Sequence, residues 1–219
     1  MKKLFGIVAA LAVLTNAPLQ ANAAVTIING DFQTSPPVVA VGGFTTLTGA
    51  ALPGWNVTLG SIDLLNMYDP SGPNGPYPGA QGTTQYIDLA GNAPGAISQT
   101  LSGFTPGQQY TVEFFYSRNP DRVTNPTGTT TLGASIGNFS YLGVITPTSL
   151  NWQKGSISFI AGNDPTYNLT FAAASNAGAY GAFLDQVSIT ATPEPTTIVV
   201  WSGLAAIGGF VAYRRRMAA

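Results

Sequence analysis

The sequence predicts an all-β domain, an antiparallel β-sandwich, on three observations. Glycine (26) and proline (16) are scattered through the 219 residues and cut the chain into short segments. Within those segments apolar and polar residues alternate. In QQYTVEFFYSR, Tyr110, Val112, Phe114 and Tyr116 fall on one face of a strand, while Thr111, Glu113 and Ser117 fall on the other. No stretch inside the domain sustains the apolar period of a helix.

Along the chain, the first element is an address. Lys2 and Lys3 precede an apolar run from Leu4 to Leu14, and Ala21-Asn22-Ala23 sets small residues where a signal peptidase needs them. Residues 1–23 are therefore expected to be a signal peptide cut after Ala23, the run being too short for a membrane span. The domain, residues 24–192, then offers strand-like runs TIING (26–30), SIDLLN (61–66), QYIDLAG (85–91), AISQTL (96–101), QQYTVEFFYSR (108–118), SISFIA (156–161), YNLTFAA (167–173) and FLDQVSIT (183–190). Residues 66–82 read as a long Pro/Gly loop with two tyrosines, and 125–128 as a second exposed loop.

Residues 193–219 form the last element. Pro193, Glu194 and Pro195 make an extended entry that cannot prolong a helix. Residues 196–213 carry no charge, and as a helix they span roughly 27 Å, enough for a hydrocarbon core of about 30 Å. Arg214, Arg215 and Arg216 follow, and the positive-inside rule keeps them cytoplasmic with the domain on the outer side.

Composition narrows the chemistry. With the two ends set aside, the domain holds eight acidic and three basic residues, so nucleic acid is not an expected partner. The chain has neither cysteine nor histidine. Disulfides, thiolate nucleophiles, Ser-His-Asp triads and His/Cys zinc sites are thereby excluded within this chain. The remaining chemistry belongs to carboxylates, hydroxyls, aromatics and a few basic groups.

Asp185 stands out among them. In a regular strand it shares a face with Phe183, Val187 and Ile189, which buries a carboxylate and demands a hydrogen-bond donor or a metal ion. A second pattern suits sugars, whose C–H faces stack on aromatic rings while amides and carboxylates hold their hydroxyls. The candidates are Tyr68, Tyr77, Tyr141 and Tyr180 on loops, with Asp69, Asn74 and Arg118 as polar company; Trp55 and Trp152 read first as core. Asp63, Asp88 and Glu113 could furnish the carboxylate pair of a glycoside hydrolase, although strand carboxylates usually face solvent or are hydrogen-bonded.

Two resemblances sharpen these expectations. Pro-Glu-Pro, a span rich in small residues and the terminal arginines resemble the PEP-CTERM sorting signal of Gram-negative bacteria. That implies processing by an exosortase near Pro193–Pro195 and delivery to the cell surface or extracellular matrix; a permanent anchor is the alternative. VTIINGDFQ, PGW at 53–55, PGAISQTLSGFTPGQQYTVEF and AYGAFLDQVSIT resemble the choice-of-anchor C family, related to galactose-binding-like domains and carbohydrate-binding modules of jelly-roll type. This resemblance implies an antiparallel jelly-roll β-sandwich. It also implies a structural calcium ion tying the first strand to the last through Asp185 and the position of Gln33, where relatives carry an acid; Asp31 is the candidate for the missing carboxylate, although in a regular strand its side chain points to the opposite face. The resulting expectation is an exported, non-enzymatic polysaccharide-binding module. A matrix or adhesion protein without a sugar ligand and a carboxylate-based glycoside hydrolase are the alternatives.

Overall fold

The computed structural model describes residues 24–34, 39–67, 79–120, 131–144, 150–173 and 178–192, together with Gly203 and Tyr213. The expected leader 1–23, nearly all of the span 196–213, Pro193, Glu194, Pro195, Arg214, Arg215 and Arg216 lie outside these residues, as do Tyr68, Asp69, Asn74 and Tyr77. Among the described residues no helix is long and apolar enough to cross a membrane.

Among the described residues ten strands carry the fold: β1 (Gly43–Leu52), β2 (Trp55–Asn66), β3 (Gln85–Asp88), β4 (Ala96–Ser102), β5 (Gln109–Arg118), β6 (Thr131–Ile136), β7 (Phe139–Val144), β8 (Gln153–Ile160), β9 (Thr166–Ala173) and β10 (Ala182–Ala191). Each pairs antiparallel with its neighbours in the order β7-β6-β9-β4-β2-β3-β10-β5-β8, and β1 pairs with β2.

That path bends into two layers at β2. Its first half pairs with β4 through Asn56, Val57 and Leu59, and its second half pairs with β3 from Asp63 to Asn66. Gly60 makes the corner at φ 52°, where a Cβ would collide with the Pro94 carbonyl. The consequence shows in the core. Phe114 of β5 meets Phe171 of β9 edge to face at 5.0 Å and Tyr141 of β7 at 5.3 Å, although these strands are far apart along the sheet. The outermost strands also approach, with Phe159 of β8 5.2 Å from Phe139 of β7. The alternating residues of both layers therefore share one interior, including Ile62, Leu64, Ile97, Val112, Leu169 and Leu184. Each such side chain contributes about 1.5–3 kcal/mol on burial. The architecture is the expected antiparallel sandwich, jelly-roll-like in outline.

Three local readings need correction. TIING is not a regular strand: Asn29 and Phe32 adopt φ of 53° and 57°, and the segment turns under Trp55, whose indole N–H donates to the Asn29 carbonyl at 3.0 Å. β1 escaped notice because GFTTLTGAAL holds few large apolar residues. The β6–β7 hairpin turns at Gly137-Asn138, so Tyr141 lies in a strand, its hydroxyl 3.0 Å from that of Tyr116, and not on a loop.

β10 carries the third correction. Gln186 takes φ 50° at a register shift between Asp185 and Ser188. This bulge flips the alternation. Val187 and Ile189 turn into the main core, while Phe183 joins Leu65 and Tyr86 in a small cluster on the sheet's other face, covered by Trp152 and Ala80. Asp185 does not share an apolar row with Val187 and Ile189.

Candidate functional site

The outer face of β1, β2 and β3 carries two acids in direct register. Asp63 of β2 pairs with Asp88 of β3, so the side-chain period puts both carboxyl groups on the same face. Asp88 is buried and organises the loops around it. Its Oδ1 accepts the Ala90 N–H at 2.8 Å and the Gly181 N–H at 2.9 Å, and its Oδ2 accepts the Asn119 Nδ2–H at 2.7 Å. One side chain thus ties together the loops after β3, before β10 and after β5. Gly181 is needed for this approach, since a Cβ there would stand 2.5 Å from Asp88 Oδ1.

Burial raises the pKa of Asp88 well above the ordinary carboxylate value; its three hydrogen bonds pull the other way, and the Asp63 charge adds to the rise. Asp63 is also raised by burial, opposed by the Thr46 Oγ1–H donated to its Oδ1 at 2.6 Å. The two acids do different work. Both line a hollow of about 240 Å³ with Phe44, Thr46, Asn92, Asn119 and Tyr180, but Asp88 is engaged on both oxygens by protein donors, whereas Asp63 is held at Oδ1 by Thr46. Phe44 is 51% exposed and Tyr180 is half-buried, so an aromatic surface flanks the carboxylate. Gly91 keeps the Asp63 carboxylate open, a Cβ there standing 2.8 Å from Oδ1. Apolar rings beside a carboxylate, two amides and a hydroxyl suit a small polyhydroxylated ring.

A larger, open groove of about 620 Å³ runs along the other layer past Asn138, Phe139, Tyr167 and Asn168. It brings one carboxylate, the exposed Asp164. The smaller hollow carries the convergent polar groups and the perturbed acids, and it is the stronger candidate.

Of the residues read as calcium ligands, Asp31 and Asp185 lie within electrostatic reach of each other. The turn at 28–32 replaces the expected regular strand and brings Asp31 close enough to repel the Asp185 carboxylate. Asp185 is fully buried; burial raises its pKa to about 7, against hydrogen bonds from the Gln81 N–H to Oδ2 (2.8 Å), the Gln186 N–H to Oδ1 (2.7 Å) and Thr83. Gln33 is turned away. Its Nε2 donates to the Asp31 and Gln85 carbonyls, and its Oε1 accepts from Thr84 Oγ1 at 2.9 Å. Two carboxylates supply hard oxygen donors, and among the described residues no third acid joins them; the Gln33 amide braces the turn against the approach to β3.

Of the expected sugar contacts, Tyr180 lines the hollow. Arg118 does not line it: the residue closes β5 and is buried, and desolvation lowers its pKa, while the adjacent Asn119 reaches the hollow. Trp55 is core between Phe32 and Phe171. Trp152 donates its indole N–H to the Gly79 carbonyl and packs edge-on to Tyr86. Glu113 pairs with Lys154 at 2.7 Å across β5 and β8. Phe44, Thr46, Asn92 and Asn119 went unnoticed in the sequence. Only the matching positions of Asp63 and Asp88 in two neighbouring strand-like runs hinted at a shared face.

Comparison with known proteins gives a family and a fold. A family model described as "Protein of unknown function (DUF642)" matches residues 25–190. Halomucin of Haloquadratum walsbyi is 28% identical over 206 residues, which cover 89% of this chain and 2% of halomucin, so the chain spans a small fraction of that relative. Among solved structures, the Stig cyclase Fisc from Fischerella sp. TAU, in complex with an indole compound, aligns with a TM-score of 0.55 at 16% identity over 78% of this chain and 99% of the cyclase. A family 61 carbohydrate-binding module in complex with β-1,4-galactotriose aligns with a TM-score of 0.47 at 11% identity, over 77% of this chain and 99% of the module. At these identities the cyclase match shows the fold alone.

Proposed function

We infer that this chain, which belongs to the DUF642 family, is an exported, non-enzymatic module that binds polysaccharide through the hollow at Asp63. The observation that carries the reading is the pairing of an accessible carboxylate with Phe44 and Tyr180 in a hollow sized for one sugar ring. Asp88 supports it from behind by fixing the loops that present Asn119 and Tyr180. The hydrolase reading needs two carboxylates free to face a substrate. Asp88 is held on both oxygens, so the Asp63–Asp88 pair serves binding better than catalysis.

The remaining expectations belong to the same proposal. Signal peptidase removes 1–23, an exosortase acts near Pro193-Glu194-Pro195, and the domain passes from a membrane-held intermediate to the cell surface or extracellular matrix, where exopolysaccharide is its ligand. Asp31 and Asp185 hold a structural calcium ion, whose charge would offset the repulsion between them.

The test is affinity electrophoresis and calorimetry of the full chain in detergent against neutral and acidic exopolysaccharides. Asp63→Asn and Tyr180→Ala are each expected to weaken binding about tenfold or more, with unfolding midpoints near wild type. Unchanged binding in both variants, or no retention of the wild type on any polysaccharide, overturns the reading.

A further inference from the structure

β1 is a sheet edge whose first half, Gly43–Leu47, lacks the usual defences. It pairs with β2, and no other described strand flanks it. The two ends of the long sheet, β7 and β8, instead lean on each other through Phe139 and Phe159. Natural edge strands are blunted by lysine, proline or an inward charge. β1 reads GFTTLTGAAL and contains none of these, and no charged residue occurs between Asp31 and Asp63; its irregularities, between Leu47 and Gly49 and between Gly49 and Leu52, leave Gly43–Leu47 in regular register. Phe44, Thr46, Thr48, Gly49 and Ala50 are exposed along it.

We propose that β1 pairs antiparallel with β1 of a second copy of this chain, joining two sheets across a two-fold axis. The edge is its own complement. The two-residue side-chain period allows a register centred on Thr45 or on Thr46, and either sets threonine against threonine at the axis while keeping Phe44 of both copies on one face. The neutrality of the strip favours a like partner, because the acidic domains would repel each other at most other surfaces. Phe44 and Thr46 also line the hollow at Asp63, so the pairing brings two hollows onto one continuous face. That last consequence rests on the binding reading, whereas the pairing itself does not. With two sites on one face, a polymer engaging both gains avidity without any new contact.

The chain has no cysteine, which makes the test clean. Opposed residues of an antiparallel pair lie about 4.5–5.5 Å apart, within the Cα range a disulfide accepts. Thr45→Cys or Thr46→Cys, in the full chain purified in detergent and mildly oxidised without sugar, is expected to give about ten times the disulfide dimer of Ser102→Cys, an exposed control on β4. In sedimentation the cysteine-free chain is expected to be a dimer and Thr46→Lys a monomer, with the wild-type far-ultraviolet circular dichroism spectrum and a single cooperative unfolding transition to separate dissociation from misfolding. Crosslinking of both variants no greater than the control, or a Thr46→Lys chain that remains folded and dimeric, overturns the proposal. Because sugar is absent throughout, a failure here leaves the glycan reading to its own test.

Discussion

Removing the Asp88 carboxylate tests the centre of the site. Asp88→Ala strands three buried donors at once: the N–H groups of Ala90 and Gly181 and the Asn119 amide. An orphaned buried donor costs about 1–3 kcal/mol, and the carboxylate's own desolvation, relieved by the substitution, offsets part of the sum. A net loss of about 3 kcal/mol is expected at neutral pH. Asp88→Asn separates hydrogen bonding from charge. Its amide oxygen can still accept from Ala90 and Gly181, and Asn119 can turn its own amide to accept from the new Nδ2. A loss of about 1 kcal/mol follows.

The pH dependence has a definite sign. The folded-state pKa of Asp88 is raised, so the native state holds the proton more tightly than the unfolded chain. Stability from this group is therefore full below the ordinary value of 3.8 and is lost as pH rises through the folded value. Urea unfolding of wild type and Asp88→Asn at a series of pH values should give curves that diverge at acid pH and converge as pH rises. Parallel curves, or an Asp88→Ala loss below about 1 kcal/mol, would refute the reasoning.

Gly181→Ala should destabilise by about 1–3 kcal/mol, read from the urea midpoint, because its Cβ would press on Asp88 Oδ1. Gln99→Ala should cost about 2–3 kcal/mol by the same measurement: Gln99 is buried, and its amide accepts the Ile28 N–H and donates to the carbonyls of Ile28 and Gly54, fastening the first segment to the sandwich. Calcium should raise the melting temperature of the wild type and leave that of Asp185→Asn unmoved in a chelator-controlled thermal scan; equal shifts would remove the cation from the proposal. Mass spectrometry of the surface form should find a mature C-terminus near Pro193-Glu194-Pro195 and no Arg214–Arg216, and recovery of the complete tail there would exclude exosortase processing.

The sandwich was legible because burial imposes a period on a strand: Tyr110, Val112, Phe114 and Tyr116 had to face one way. Where the backbone departs from that period, sequence pattern loses its hold. The bulge at Gln186 sent Val187 and Ile189 to the opposite face, and no residue type at 186 announces it. The turn at Asn29 likewise brought Asp31 to Asp185 when a regular strand would have kept them apart. The hollow was harder still. Its members come from β1, β2, β3 and three loops, so no local spacing links Phe44, Asp63, Asn119 and Tyr180; only strand register does.

The position of β10 dictates when the molecule can exist. This last strand sits between β3 and β5, and it supplies the middle of a layer whose other members are made long before it. A chain still leaving the ribosome has a gap at the heart of its sheet until residue 191 emerges. Closure of this layer is therefore a late event in synthesis, and the nascent polypeptide stays slack until β10 arrives.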